Sequence, residues 1–114
     1  MAERRPPETA DLRRLRRKID ALDKRIVAML NDRATLAREA GVAKTAAGRR
    51  AIRDAERERE VLLRVSLAND GPLPQADLLA LYRRLFVATR ALESRDRDRA
   101  AREGGSGEDP GRGY

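Results

Sequence analysis

The chain has 114 residues, a length that suits one domain, and any core must be aliphatic because only 3% of the residues are aromatic. It has 26 basic and 19 acidic residues, so its formal net charge of +7 favours an anionic partner. Cysteine and histidine are absent, which excludes thiol nucleophiles, Ser-His-Asp triads, histidine general bases and the common zinc sites. No apolar run approaches the length of a membrane span or a signal-peptide core, so we expect a cytoplasmic protein.

Residues 1–9 are polar and are predicted to form a flexible N-terminal arm, after which Thr9 or Asp11 caps a helix. This first helix is predicted from Leu12 to Ala40, a stretch without glycine or proline whose apolar residues recur at spacings of three and four. At 1.5 Å per residue the helix would be about 45 Å long. One small domain cannot cover an apolar stripe of that length, so we expect a partner chain to pack on it.

Arg33 interrupts this apolar stripe at a position where the spacing favours a hydrophobic residue. An arginine on a buried face needs an anion, since burying it unpaired costs roughly several kcal/mol. Its partner is either another side chain or a ligand.

A loop is predicted over Thr45–Ala51, followed by a second helix that begins near Asp54, a good N-cap, and ends at about Ala68. Asn69–Pro72 has the composition of a turn. A third helix is predicted to begin near Pro74 or Gln75.

The third helix is predicted to pack as far as Glu93, where its apolar residues end. After that point the sequence alternates Arg with Asp and then becomes rich in glycine. Such a segment has few groups that can pack, so residues 96–114 are predicted to form a disordered tail.

Charged residues therefore lie on the apolar faces of all three predicted helices. They are Arg33 on the first, Arg57 and Glu58 on the second, and Glu93 on the third. Arg16 flanks the stripe near the start of the first helix, and Lys44 lies at the end of its inner face. One interpretation is a set of interhelical salt bridges that fixes the register of a bundle. The other is a cationic pocket between helices that binds a small dicarboxylate, because guanidinium groups bind carboxylates bidentately. Periodicity alone leaves both interpretations open.

An ordered set of short motifs resembles the all-helical chorismate mutases of the AroQ class. The motifs are Leu15–Asp23, Arg33, Gly41–Lys44, Arg53–Glu58, the turn Asn69–Pro72 and Arg90–Glu93. Each motif alone has little specificity, but their order and separations are typical of the family. The resemblance implies an all-α fold in which residues 10–95 form a chorismate mutase type II domain, assembled as an intertwined homodimeric bundle.

The family converts chorismate to prephenate by a Claisen rearrangement without cofactor or metal, and its known residues match positions of this chain. By the resemblance, Arg16 would reach into the partner's site, and Arg33 and Arg57 would bind the carboxylates within the chain. Lys44 would contact a carboxylate and the ether oxygen, where negative charge develops. Glu58 would accept from the ring hydroxyl. Asp54 would support that contact or the loop.

Two positions depart from the usual family pattern. Thr89 stands where serine is common and retains the hydroxyl, and Glu93 stands where glutamine is common. Glutamine donates a hydrogen bond at any pH, whereas glutamate donates only when it is protonated. We therefore expect catalysis that involves Lys44, Glu93 and Arg33 to fall as the pH rises.

The same sequence features are compatible with other functions. An isochorismate pyruvate lyase or an amino-deoxychorismate mutase would use the same scaffold and bind similar dianions. A non-catalytic basic dimer that binds nucleic acid or a protein is a rival of another class, disfavoured because one Phe and two Tyr provide few rings to stack on bases. The family also includes members that act in complex with the first enzyme of the aromatic pathway, so such a partner is a further expectation.

Overall fold

A computed structural model describes residues 4–49 and 54–107, which form three helices and no strand. The helices are α1 (Ala10–Ala46), α2 (Ala55–Ala68) and α3 (Gln75–Gly107). The all-helical class, the three-helix order and the long first helix are thus confirmed. No helix in the described ranges combines the length and apolar character that crossing a membrane requires.

Helix α1 begins after Thr9, whose Oγ1 accepts a hydrogen bond of 3.1 Å from the backbone N–H of Leu12. Of the two predicted caps, Thr9 therefore performs the capping, while Asp11 lies in the first turn near the positive end of the helix. At its other end α1 continues through Gly41 to Ala46, so the predicted loop begins later than Thr45. A turn at Gly48, with φ of 79°, follows the helix.

The chain divides into two compact units, one up to Thr35 and one from Leu36 onward. In the first unit, the apolar stripe of α1 is accessible to solvent. Leu15, Ile19 and Leu22 are 47%, 55% and 50% exposed, and no residue of α1 is buried.

In the second unit, α2 packs against α3. Phe86 of α3 is 7% exposed and is the buried hydrophobic residue of the described core. Its ring contacts that of Tyr82 edge-on, with 6.4 Å between centroids. Val61, Leu62 and Val65 of α2 are half-buried.

Asp54 caps α2 as predicted: its Oδ1 accepts a 3.0 Å hydrogen bond from the backbone N–H of Arg57. That bond is the main reason why the pKa of Asp54 lies below its ordinary value. The stabilisation by this carboxylate is therefore present above the unfolded-state pKa and is lost as the pH falls through the lower folded-state pKa.

We expect Asp54→Ala to lower the melting temperature measurably at neutral pH and by less at strongly acidic pH, because the protonated cap is weaker. Asp54→Asn is the matched control, since asparagine caps a helix about as well as aspartate. Thermal unfolding followed by circular dichroism measures both variants. An equal loss of melting temperature in the two would contradict the capping role.

The structure corrects the predicted tail over residues 96–107, where α3 continues as a helix to Gly107. From Ser94 to Glu103 the sequence has neither glycine nor proline, and its Arg, Ala and Glu residues favour helix. Asp96 is also tied to α1 by Arg38. The remainder of the predicted tail, residues 108–114, lies outside the described residues, as do residues 1–3 of the arm and 50–53 of the loop.

Candidate active site

Lys44 near the end of α1 faces Glu93 of α3, with 3.9 Å between Nζ and Oε2. Their side chains are only 23% and 11% exposed, although both end in ionisable groups. Burial raises the pKa of the Glu93 carboxyl, and the negative charge of Asp96 raises it further, against the opposing effects of Lys44 and Arg90. The pair therefore combines a cation with a carboxyl group that retains its proton at higher pH than usual.

The Glu93 side chain packs directly over Gly41 of α1. A Cβ placed on Gly41 would be 3.4 Å from Cγ of Glu93, an ordinary van der Waals distance. A glycine in the interior of a helix costs about 1 kcal/mol relative to alanine. The side chain of Glu93 therefore lies against the turn that precedes Lys44.

Asp54 lies beside the same cations. Its Oδ2 is 3.2 Å from Nη2 of Arg49, and the charges of Arg49 and Lys44 both lower its pKa in addition to the cap bond. Lys44 thus interacts with two carboxyl groups whose pKa values are shifted in opposite directions. The pKa of Asp54 is lowered while that of Glu93 is raised, so the first favours its ionised form and the second its neutral form.

Glu58 of α2 accepts a short hydrogen bond of 2.5 Å from Nη1 of Arg90 on α3. The two side chains are 17% and 26% exposed, so this is a well-shielded ion pair. Arg90 is not among the predicted site residues, although it is one turn before Glu93 on the same helix and its charge lowers the pKa of Glu93. That i, i+3 spacing to a predicted site residue was the signal that could have identified it.

The remaining predicted residues of the second unit are less closely associated. The guanidinium of Arg57 contacts Glu60, 3.3 Å away, and more than half of its side chain is exposed. Thr89 is half-buried one turn before Glu93.

Two predicted residues belong to the first unit. Arg16 forms an ion pair with Glu8, and Arg33 is half-buried on α1. Their proposed roles concern a complete site and are considered with the function.

A cavity of about 360 Å³ adjoins the Lys44–Glu93 pair. Its size suits a small organic ligand. Its charged lining comprises Arg38, Lys44, Arg49, Glu93, Asp96 and Arg97. The four cations outnumber the two carboxyl groups, so an anionic ligand is favoured here. Among the described residues no cluster of acidic groups is arranged to hold a metal ion.

Comparison with known proteins gives the same family that the sequence motifs resemble. Residues 15–94 match the sequence model of the family described as chorismate mutase type II. The chain has the fold of a chorismate mutase (form II) from Thermus thermophilus, with a TM-score of 0.70 and 30% sequence identity over 75% of this chain and 96% of that one.

Two curated relatives are named bifunctional chorismate mutase/prephenate dehydratase. The Aquifex aeolicus protein is 36% identical over 89 residues, and that of Stutzerimonas stutzeri is 36% identical over 90 residues. Each match covers 75% of this chain but only 24% and 25% of the respective relative. The chain thus spans about a quarter of their length.

These likenesses define the class as an all-helical domain of the chorismate mutase type. The chain belongs to the chorismate mutase type II family.

Proposed function

We propose that this chain converts chorismate to prephenate, a step of aromatic amino acid biosynthesis, with the Lys44–Glu93 pair at its catalytic centre. The observation that carries the proposal is a shielded cation beside a carboxyl group of raised pKa, at a cationic cavity, in a member of this family. The reaction is intramolecular. One ether carbon–oxygen bond breaks while one carbon–carbon bond forms, so no co-reactant, covalent intermediate or cofactor is needed.

Negative charge develops on the ether oxygen as its bond to carbon breaks, and Lys44 stabilises that charge while contacting a carboxylate. Protonated Glu93 donates a hydrogen bond to the same oxygen. The dianionic substrate raises the pKa of Glu93 further, in the same direction as burial. Both donors act more strongly in the transition state than in the ground state, as catalysis requires.

The other predicted residues hold the substrate in its compact, reactive conformer. Arg33 and Arg57 bind its carboxylates from within the chain, which requires the exposed Arg57 side chain to leave Glu60. Glu58 accepts a hydrogen bond from the ring hydroxyl of the substrate, while Arg90 stays hydrogen-bonded to the Glu58 carboxylate. Asp54 supports this arrangement, and Thr89 supplies a hydroxyl one turn from Glu93.

A second copy of the chain completes the site in this proposal. Support comes from the exposed aliphatic stripe of α1, in which Leu15, Ile19 and Leu22 are each about half exposed. The two α1 helices pair along this stripe, and Arg16 of each chain enters the site of the other. The cytoplasmic location, expected from the lack of a long apolar run, stays a prediction, as does the complex with the first enzyme of the aromatic pathway that the resemblance implies.

The pH dependence of chorismate turnover tests the role of Glu93. Because only the protonated carboxyl donates, kcat/KM is expected to fall as the pH rises through the raised pKa of Glu93. Glu93→Gln should remove this fall, since the amide donates at every pH. The measurement is the rate of chorismate loss above the uncatalysed rate, for both proteins, from mildly acidic to mildly alkaline pH. A wild-type rate that does not change over this range would refute the donor role.

A further inference from the structure

Arg38 and Asp96 form a bidentate ion pair next to the proposed catalytic centre. Nε of Arg38 donates to Oδ2 of Asp96 and Nη2 donates to Oδ1, each with a donor–acceptor distance of 2.9 Å. The pair joins residues 58 positions apart in the chain and therefore ties α1 to α3. Such parallel bonds fix orientation as well as distance.

Each member of this ion pair lies near Glu93, Arg38 from α1 and Asp96 from α3. Asp96 follows Glu93 by three residues on α3, which places the two on one face of the helix. Arg38 precedes Gly41 by three residues on α1. Gly41 is the residue against which Glu93 packs. Arg38, Gly41, Glu93 and Asp96 all line the same cavity.

The two members of the pair carry opposite charges beside Glu93. The negative charge of Asp96 raises the pKa of Glu93. Arg38 holds Asp96 ionised, because its hydrogen bonds lower the pKa of that carboxyl. A guanidinium left unpaired beside Glu93 would have the opposite effect from an unpaired carboxylate.

The other charged groups around Glu93 come from all three helices and the turn after α1. They are Lys44 of α1, Arg49 after it, Arg90 and Arg97 of α3, and Glu58 of α2, which acts through Arg90. Lys44 and Arg90 lower the pKa of Glu93, so Asp96 is the neighbouring charge that opposes them.

We propose that Arg38 and Asp96 are positioning residues for Glu93: their ion pair holds its carboxyl group against Gly41 and balances the charge beside it. The inference rests on the proposed function, because it assigns a purpose to the neutral form of Glu93. It implies that a variant of either partner shifts the pH at which Glu93 loses its proton. The two variants shift that pH in opposite directions.

The test is a titration of the Glu93 carboxyl carbon by NMR in the full chain, assigned by its loss in Glu93→Gln. Asp96→Asn is expected to lower the midpoint by about half a pH unit, because an anion is removed and Arg38 remains. Arg38→Met is expected to raise it by a similar amount, and the double variant should return it close to the wild-type value. Asp98→Asn, an exposed carboxylate two residues further along α3, is the matched control and should leave the midpoint unchanged.

A pair that only ties the helices together would give no shift, or shifts of the same sign in both variants, and either result would overturn the inference. Arg38→Lys guards against an unfolded Arg38→Met protein, since it keeps the charge and should keep the midpoint near that of the wild type. The titration needs no turnover. If chorismate is not consumed but the opposed shifts appear, the proposed function fails while the effect of the ion pair stands. If chorismate is consumed but the shifts are absent, only the inference fails.

Discussion

Replacing Lys44 with methionine is expected to lower kcat/KM for chorismate by about a thousandfold, which corresponds to about 4 kcal/mol of transition-state stabilisation. Methionine keeps much of the side-chain length and removes the charge that faces the breaking bond. The loss cannot arise from deprotonation of Glu93, because removing Lys44 takes away a charge that lowers the pKa of Glu93. Steady-state kinetics of chorismate loss, with circular dichroism as the check of folding, measure the effect.

Lys24→Met is the matched control for this variant, since Lys24 is an exposed lysine on the same helix. It is expected to keep the wild-type rate within about twofold, as surface substitutions generally do. If Lys44→Met kept its kcat/KM within tenfold of the wild type, Lys44 would not be the group that stabilises the developing charge.

Arg33→Ala and Arg16→Ala are each expected to lower kcat/KM by a hundredfold or more, because each leaves a substrate carboxylate without its charge-assisted hydrogen bonds (about 3 kcal/mol). In the proposed dimer the two residues of one site come from different chains. A hybrid of the two variants therefore contains one site with both arginines and one site with neither.

Refolding equal amounts of the two variants together should restore about one quarter of the wild-type activity, because half of the dimers are hybrids and each hybrid has one intact site. Refolding each variant alone is the control and should restore none. A mixture no more active than its separate components, under conditions where dimers form, would contradict the shared site.

The sequence predicted most of the fold because its signals are local. Neither glycine nor proline interrupts Leu12–Ala40, Asp54 caps the second helix, and Asn69–Pro72 is a turn, as the described structure confirms. The two boundaries that differ are the ends of α1 and α3, where contacts between helices add to the local preference for helix. Glu93 packs on Gly41, and Arg38 holds Asp96, and neither contact has a local sequence signal.

The candidate site was predictable in its residue types but not in its pairings. Misplaced charges on apolar faces identified Lys44 and Glu93, which the structure brings together. The pairing of Glu58 with Arg90 was missed because the two residues are 32 positions apart, so no local pattern joins them. Pairings of this kind depend on how helices are oriented, which periodicity does not determine.

Incubation of the purified chain with chorismate, with the product identified by NMR, tests the central claim most directly. The expected result is prephenate in an amount equal to the chorismate consumed, formed far faster than in buffer and far more slowly with Arg33→Ala. Chorismate that disappears no faster than in buffer would contradict the claim, as would pyruvate release from isochorismate as the only activity.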